Sequence, residues 1–258
     1  MALKFLRYTG ILAIVCMTVF ACKKEDALVV SPTGTNVLYS LPQGNHPYDT
    51  TIMQFYKDYT SLILYKFDSV DYNYNITGAV MPGLNIVPGD TSVIPEALDY
   101  LQANLFNVYP KSFLVQTMPF AILLASNIYV NYTMYLYGTY YYSVMAGTRT
   151  LAFGLVNDSL HTLTGAQLDS TRGLLNMAYW QLAISNGTVA CPSGFDSLTT
   201  YAGKGTVIAA NPAQYGILPP SLSQLLFLQA AASLDAENDF LGYIDVITST
   251  DSLTMQNT

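Results

Sequence analysis

Thr164–Gly187 reads TGAQLDSTRGLLNMAYWQLAISNG. Its apolar residues recur at helical spacing from Thr164 onward, and Gly187 is a natural stop for the helix they predict. The second half, Leu174–Ser185, holds no charge and no histidine, yet it contains the only tryptophan of the chain, Trp180. A helix so uniformly apolar is expected to lie in a core rather than on a surface. It needs other layers to cover it, and the segments before it supply them.

Upstream, FAILLASNIYVNY and GTRTLAFGLVN are short apolar runs that suit strands at the centre of a sheet, and SFLVQTMP and SLILYKFD read the same way. FDSVDYNYNITG alternates, and the Gly/Pro-rich MPGLNIVPGD after it reads as a loop. Two helical patterns come earlier: TTIMQFYKDYTS behind Asp49, which is expected to cap it, and VIPEALDYLQANLFNVYP, which Pro110 stops. After Gly187, PPSLSQLLFLQAAAS and DAENDFLGYIDVITST predict two more helices. The expectation is one α+β domain over residues 46–258, with a central sheet, strands mostly first and helices mostly last.

The chain is 51% hydrophobic and 10% charged, with 21 Tyr and 11 Phe, so it has ample material for a core. Its start, MALKFLRYTGILAIVCMTVFAC, places Lys4 and Arg7 before an apolar run from Ile11 to Ala21 that is too short to span a bilayer. Val19-Phe20-Ala21-Cys22 resembles the bacterial lipobox. That resemblance implies a signal peptide over residues 1–21, lipidation of Cys22, attachment to the membrane at the cell envelope, and a lipidated tether over 22–45 rich in Gly, Pro and Ser. Loss of Lys4 and Arg7 leaves eight basic residues against 17 acids, a formal charge of −9, which argues against a nucleic-acid partner. With Cys16 in the signal and Cys22 lipidated, Cys191 stands alone, and neither a disulfide framework nor a cysteine zinc site can be built.

Candidate chemistry is sparse. His46 and His161 are the only histidines and sit in separate loops. DAEND, Asp235–Asp239, spaces carboxylates at alternate positions but lacks the glycine and distal glutamate of a calcium loop, so Asp235 is expected to cap a helix. Tyr140, Tyr141 and Tyr142 end a tyrosine-rich run that offers either a sugar-stacking platform or simply a good strand.

The order of elements, from HPYDTTIMQFYKDYTSLILYKFD through a helix ending FNVYPKSF to apolar strands and a long helix, resembles the zinc-binding metallopeptidase lipoproteins of Bacteroidetes. Those proteins are often associated with outer-membrane import systems of the SusC/SusD kind. The resemblance spans roughly residues 48–248 and implies a zincin-like domain. In that family the long helix carries HExxH, whose histidines one turn apart bind zinc while the glutamate acts as general base, and a later helix supplies the third ligand. Here Asn176, Met177 and Trp180 stand where His, Glu and His would, and NDFLG puts Gly242 at the third ligand position. All three ligands and the base are replaced together, which implies a pseudoenzyme with no catalytic residue and no bound metal. Met and Trp at such positions are expected to fill the space that a metal and its water would need.

The resemblance further implies a chain short at its C-terminus, since the family continues with more helical sequence. The function expected is that of an outer-membrane lipid-anchored protein, a non-catalytic accessory or binding component of a SusC/SusD-type nutrient import system, with peptide or glycan as ligand. Two alternatives stay open: an active zinc-dependent metallohydrolase using unrecognised ligands such as His46, His161, Asp235 or Glu237, and a glycan-binding surface module using the tyrosine run.

Overall fold

The computed structural model describes residues 39–72, 83–131, 138–195, 214, 216–218 and 235–250. Cys22, the segment PPSLSQLLFLQAAAS, most of the alternating stretch after Tyr72, and Tyr132, Tyr135 and Tyr137 lie outside them. The fold lies in the unit that runs from Leu41 onward.

In chain order its elements are α1 (Asp49–Tyr59), β1 (Leu62–Leu64), β2 (Leu84–Pro88), α2 (Ile94–Leu101) with a π-helical turn at Gln102–Phe106, and α3 (Lys111–Thr117). Then follow β3 (Ala121–Asn131), β4 (Thr139–Tyr142), β5 (Val144–Ala146), β6 (Thr150–Phe153), α4 (Ser159–Thr162), α5 (Gly165–Ser185) and α6 (Ala236–Ser249). The architecture is mixed, a central sheet with helices, as α+β requires. Helices and strands interleave rather than segregate, however, since α1, α2 and α3 all precede β3.

The spine of the sheet is β3. At about 3.3 Å per residue its eleven residues are long enough to serve two sets of neighbours. Its first half, the apolar AILL, pairs in parallel with β1 on one side and β6 on the other, and β5 closes that sheet antiparallel to β6. Its second half pairs antiparallel with β2 and β4. The two halves read differently for a physical reason. Ala121–Ala125 is buried continuously, as strands covered on both faces are, whereas Ile128 and Val130 are buried and Asn127 and Asn131 exposed, the alternation of a strand covered on one face.

Register explains the core. Ile63 pairs with Ile122, Ile122 with Leu151 and Leu151 with Ala146, so these four share one sheet face. All four belong to the core cluster, together with Ile52 and Phe55 of α1, Ile94, Leu98 and Leu101 of α2, and Leu175, Tyr179 and Leu182 of α5. Burying each large aliphatic of that row contributes about 1.5–3 kcal/mol.

Three expectations are corrected. SFLVQTMP is not a strand but forms α3, entered through Pro110 in extended conformation and burying only Leu114 and Thr117, one turn apart. MPGLNIVPGD is not all loop: after Gly83, whose φ of 85° suits glycine, Leu84–Pro88 adds to the sheet as β2. Asp49 does not cap α1; it sits inside the first turn with its carboxylate accepting from the His46 N–H at 2.8 Å and the Tyr65 hydroxyl at 2.9 Å. That buried carboxylate ties the entry loop to the end of β1. Gln43 adds to the same seam, its Oε1 accepting from the Tyr65 N–H at 2.8 Å.

Candidate functional site

The long helix starts where the sequence marks it. Thr164 accepts from the Gln167 N–H while the Gln167 side chain reaches back to the Thr164 N–H at 2.8 Å, a reciprocal cap that satisfies two groups the helix leaves open. Gly187, at φ 69°, follows its end. From Leu175 to Ala183 only Trp180 among the side chains escapes full burial, because β5 and β6, the π turn and α6 all pack on this helix.

Asn176 and Trp180, four residues apart, point to one place. The Tyr109 hydroxyl donates to Asn176 Oδ1 at 2.7 Å and accepts from Trp180 Nε1 at 2.9 Å. Asn176 is fully buried, and its Nδ2 donates to the carbonyls of Arg172 at 2.8 Å and Asn104 at 3.0 Å. The second of these carbonyls is available because of the π turn: Asn107 N–H reaches back to Gln102, and Val108 N–H turns to Leu105, so neither serves Asn104. The Asn176 amide therefore has both donors and its acceptor engaged. Burial pushes the Tyr109 hydroxyl up to about 12, against the pull of the Trp180 N–H, so it stays neutral and can donate.

Aromatic rings close around this point. The Tyr109 ring lies 5.3 Å from Phe113, 5.7 Å from Tyr179 and 6.2 Å from Trp180, and Trp180 meets Phe113 at 5.3 Å and Phe240 of α6 edge-on at 5.5 Å. Tyr179 in turn hydrogen-bonds Thr117 through its hydroxyl. Met177 is buried on the same helix.

Gly242 lies in α6, which packs along α5, but it does not open toward Asn176 and Trp180: a Cβ there would run into the Leu218 carbonyl. The neighbouring Asp239 is buried and accepts from the Leu218 N–H at 2.7 Å, so this turn of α6 holds down the segment before it. Asp235 caps α6 as expected, accepting from the Asn238 N–H at 2.9 Å.

The donor set at Asn176, Met177, Trp180 and Gly242 does not fit zinc. A zinc site takes imidazole, thiolate or carboxylate, whereas an indole N–H is a donor only, the Asn176 amide is already saturated, and glycine has no side chain. Among the described residues no group of three or more His, Cys, Asp or Glu is placed to hold a metal ion. His46 stacks on Tyr48 at 4.8 Å, whereas His161 lies in the short helix α4 rather than in a loop, its Nδ1 2.7 Å from Glu96 Oε2, and no contact between the two histidines is seen among the described residues. Glu237 sits in the first turn of α6.

The tyrosine run divides by strand alternation. Tyr141 is 70% exposed and packs its ring 5.7 Å from Tyr129, its register partner on β3. Tyr140 and Tyr142 point to the other face, where Tyr140 is exposed and Tyr142 buried. Tyr109 is the residue that sequence reasoning did not single out; it lies 67 positions from Asn176, and no local pattern links the two.

No family model matches this chain, and neither the curated proteins nor the solved structures include a significant match.

Proposed function

We propose that this chain is a cell-envelope lipoprotein, anchored to the outer membrane through Cys22, whose zincin-like domain serves as a non-catalytic accessory or binding component of a SusC/SusD-type nutrient import system. One observation carries the non-catalytic part. Asn176 and Trp180, the positions one turn apart where two zinc-binding histidines would stand, both spend their polar atoms on the Tyr109 hydroxyl. A phenol held by two hydrogen bonds takes the place of a metal held by two ligands, and the aromatic cluster around it restores close packing.

The long helix on a central sheet supports the zincin-like part of the reading, and the −9 charge left after signal removal agrees with an envelope protein that avoids nucleic acid. The test is metal content. Protein purified without chelator and dialysed against zinc is expected to hold well under one zinc per chain by atomic emission; one tightly bound zinc per chain overturns the reading.

A further inference from the structure

α1, β1 and α2 with its π turn line a groove of about 500 Å³. That volume falls within the roughly 300–1,000 Å³ of small-molecule sites. Its floor is apolar, built from Phe55, Ile63, Leu98 and Phe106, with Phe55 and Phe106 rings 4.7 Å apart. Its walls are polar: Gln54 and Asp58 from α1, Asp99 from α2 and Gln102 from the π turn.

The hydrogen bonds already made define what the walls still offer. Gln54 Nε2 donates to Asp58 Oδ2 at 3.0 Å and Gln102 Nε2 to Asn107 Oδ1 at 2.7 Å, so each amide spends one N–H on a neighbour and retains its carbonyl oxygen and a second N–H. Lys111 Nζ stands 2.6 Å from Asp58 Oδ1, which compensates that carboxylate's charge. The Asp99 carboxylate has no ion pair among the described residues. An anion would meet the carboxylates of Asp58 and Asp99, and a plain hydrocarbon would face the Asp99 carboxylate and the open amide groups without giving them partners. A ring with several hydroxyl donors at its edge and an apolar C–H face satisfies both wall and floor.

We propose that the α1–α2 groove is a binding site for a neutral polyhydroxylated ring ligand, a short oligosaccharide. Gln102 and Phe106, the two ends of the π turn that continues α2, both line the groove. This site is distinct from the Tyr109 cluster and from the Tyr129–Tyr141 pair, and it stands whether or not zinc is ever bound.

The full chain is titrated calorimetrically with cellobiose, maltotriose and diacetylchitobiose, and with trilysine as a cationic probe. At least one neutral sugar is expected to bind saturably, and Asp99→Ala combined with Gln102→Ala is expected to weaken it by about tenfold or more while the thermal midpoint holds. Tyr141→Ala leaves the affinity unchanged. Absence of binding by all three sugars, binding that survives the double substitution in a folded protein, or binding of trilysine alone overturns the proposal.

Discussion

The Tyr109 hydroxyl donates a 2.7 Å hydrogen bond to Asn176 Oδ1 across 67 positions of sequence. With the bond from Asn176 Nδ2 to the Asn104 carbonyl it joins the π turn and the residues after it to the middle of α5, and its lone pairs serve Trp180 as well. Tyr109→Phe keeps the ring contacts and removes both bonds, leaving a fully buried carbonyl oxygen without its donor. The expected loss is about 2 kcal/mol of unfolding free energy in urea titrations, where the fluorescence of Trp180, the only tryptophan, reports the transition. An unchanged midpoint and emission maximum would remove this bond from the account of the core.

The same tyrosine sets an alkaline limit. Its folded-state pKa of about 12 lies above the ordinary 10.0, so above pH 10 the unfolded chain loses a proton that the folded chain keeps, and stability falls. The contribution is fully present below pH 10 and lost as pH rises through 12. Burial pushes Tyr100 and Tyr179 up as well, so the effect accumulates. Stability measured by denaturant titration is expected to be flat through the neutral range and to decline above pH 10, with about 2–3 kcal/mol lost on account of Tyr109 alone. Phenolate absorbance of these residues should rise together with unfolding; its appearance in a still-folded protein would contradict the burial argument.

Two glycines test the packing of α5 and α6 with opposite signs. A Cβ at Gly242 runs into the Leu218 backbone, so Gly242→Ala is expected to cost about 1–3 kcal/mol. At Gly165, the first residue of α5, a Cβ meets nothing within 4 Å, and Gly165→Ala is expected to stabilise by up to about 1 kcal/mol. Thermal midpoints of the two variants should move apart from wild type in opposite directions.

Thr60 ends α1 in the left-handed region, at φ 54° and ψ 17°, its N–H returning to the Tyr56 carbonyl. A β-branched residue is strained there. Thr60→Gly relieves the strain and gives back part of it as unfolded-state entropy, for a net gain of about 0.5 kcal/mol. A fall in the thermal midpoint would mean that the Thr60 side chain contributes more than its backbone strain costs.

Much of the fold was legible where a local signal and the tertiary environment agree. Thr164 and Gly187 bound α5 in sequence as in structure, and the continuous apolar run at Ala121–Ala125 marks a strand covered on both faces. The failures have a common cause. SFLVQTMP is as apolar as a strand, but β1 and β6 already occupy the two edges of the first half of β3, and the segment instead turns as α3 behind Pro110. LNIVP lay between glycines and prolines that read as loop, yet the free flank of β3 beyond Leu124 gave it a partner.

For the site, the sequence by itself determined which chemistry is missing: with no histidine or glutamate between Leu174 and Ser185, α5 cannot supply the paired imidazoles of a zinc helix. It also marked the bounds of α5 itself, because capping and periodicity act over a few residues. Only the tertiary structure decided what surrounds Asn176 and Trp180. Tyr109 reaches Asn176 and Trp180 because α2 ends in a π turn packed on α5, and the groove lined by α1 and α2 forms where α1 packs on β1 and α3. Those placements follow from side chains meeting across many tens of residues, and no local pattern in the chain encodes such a meeting.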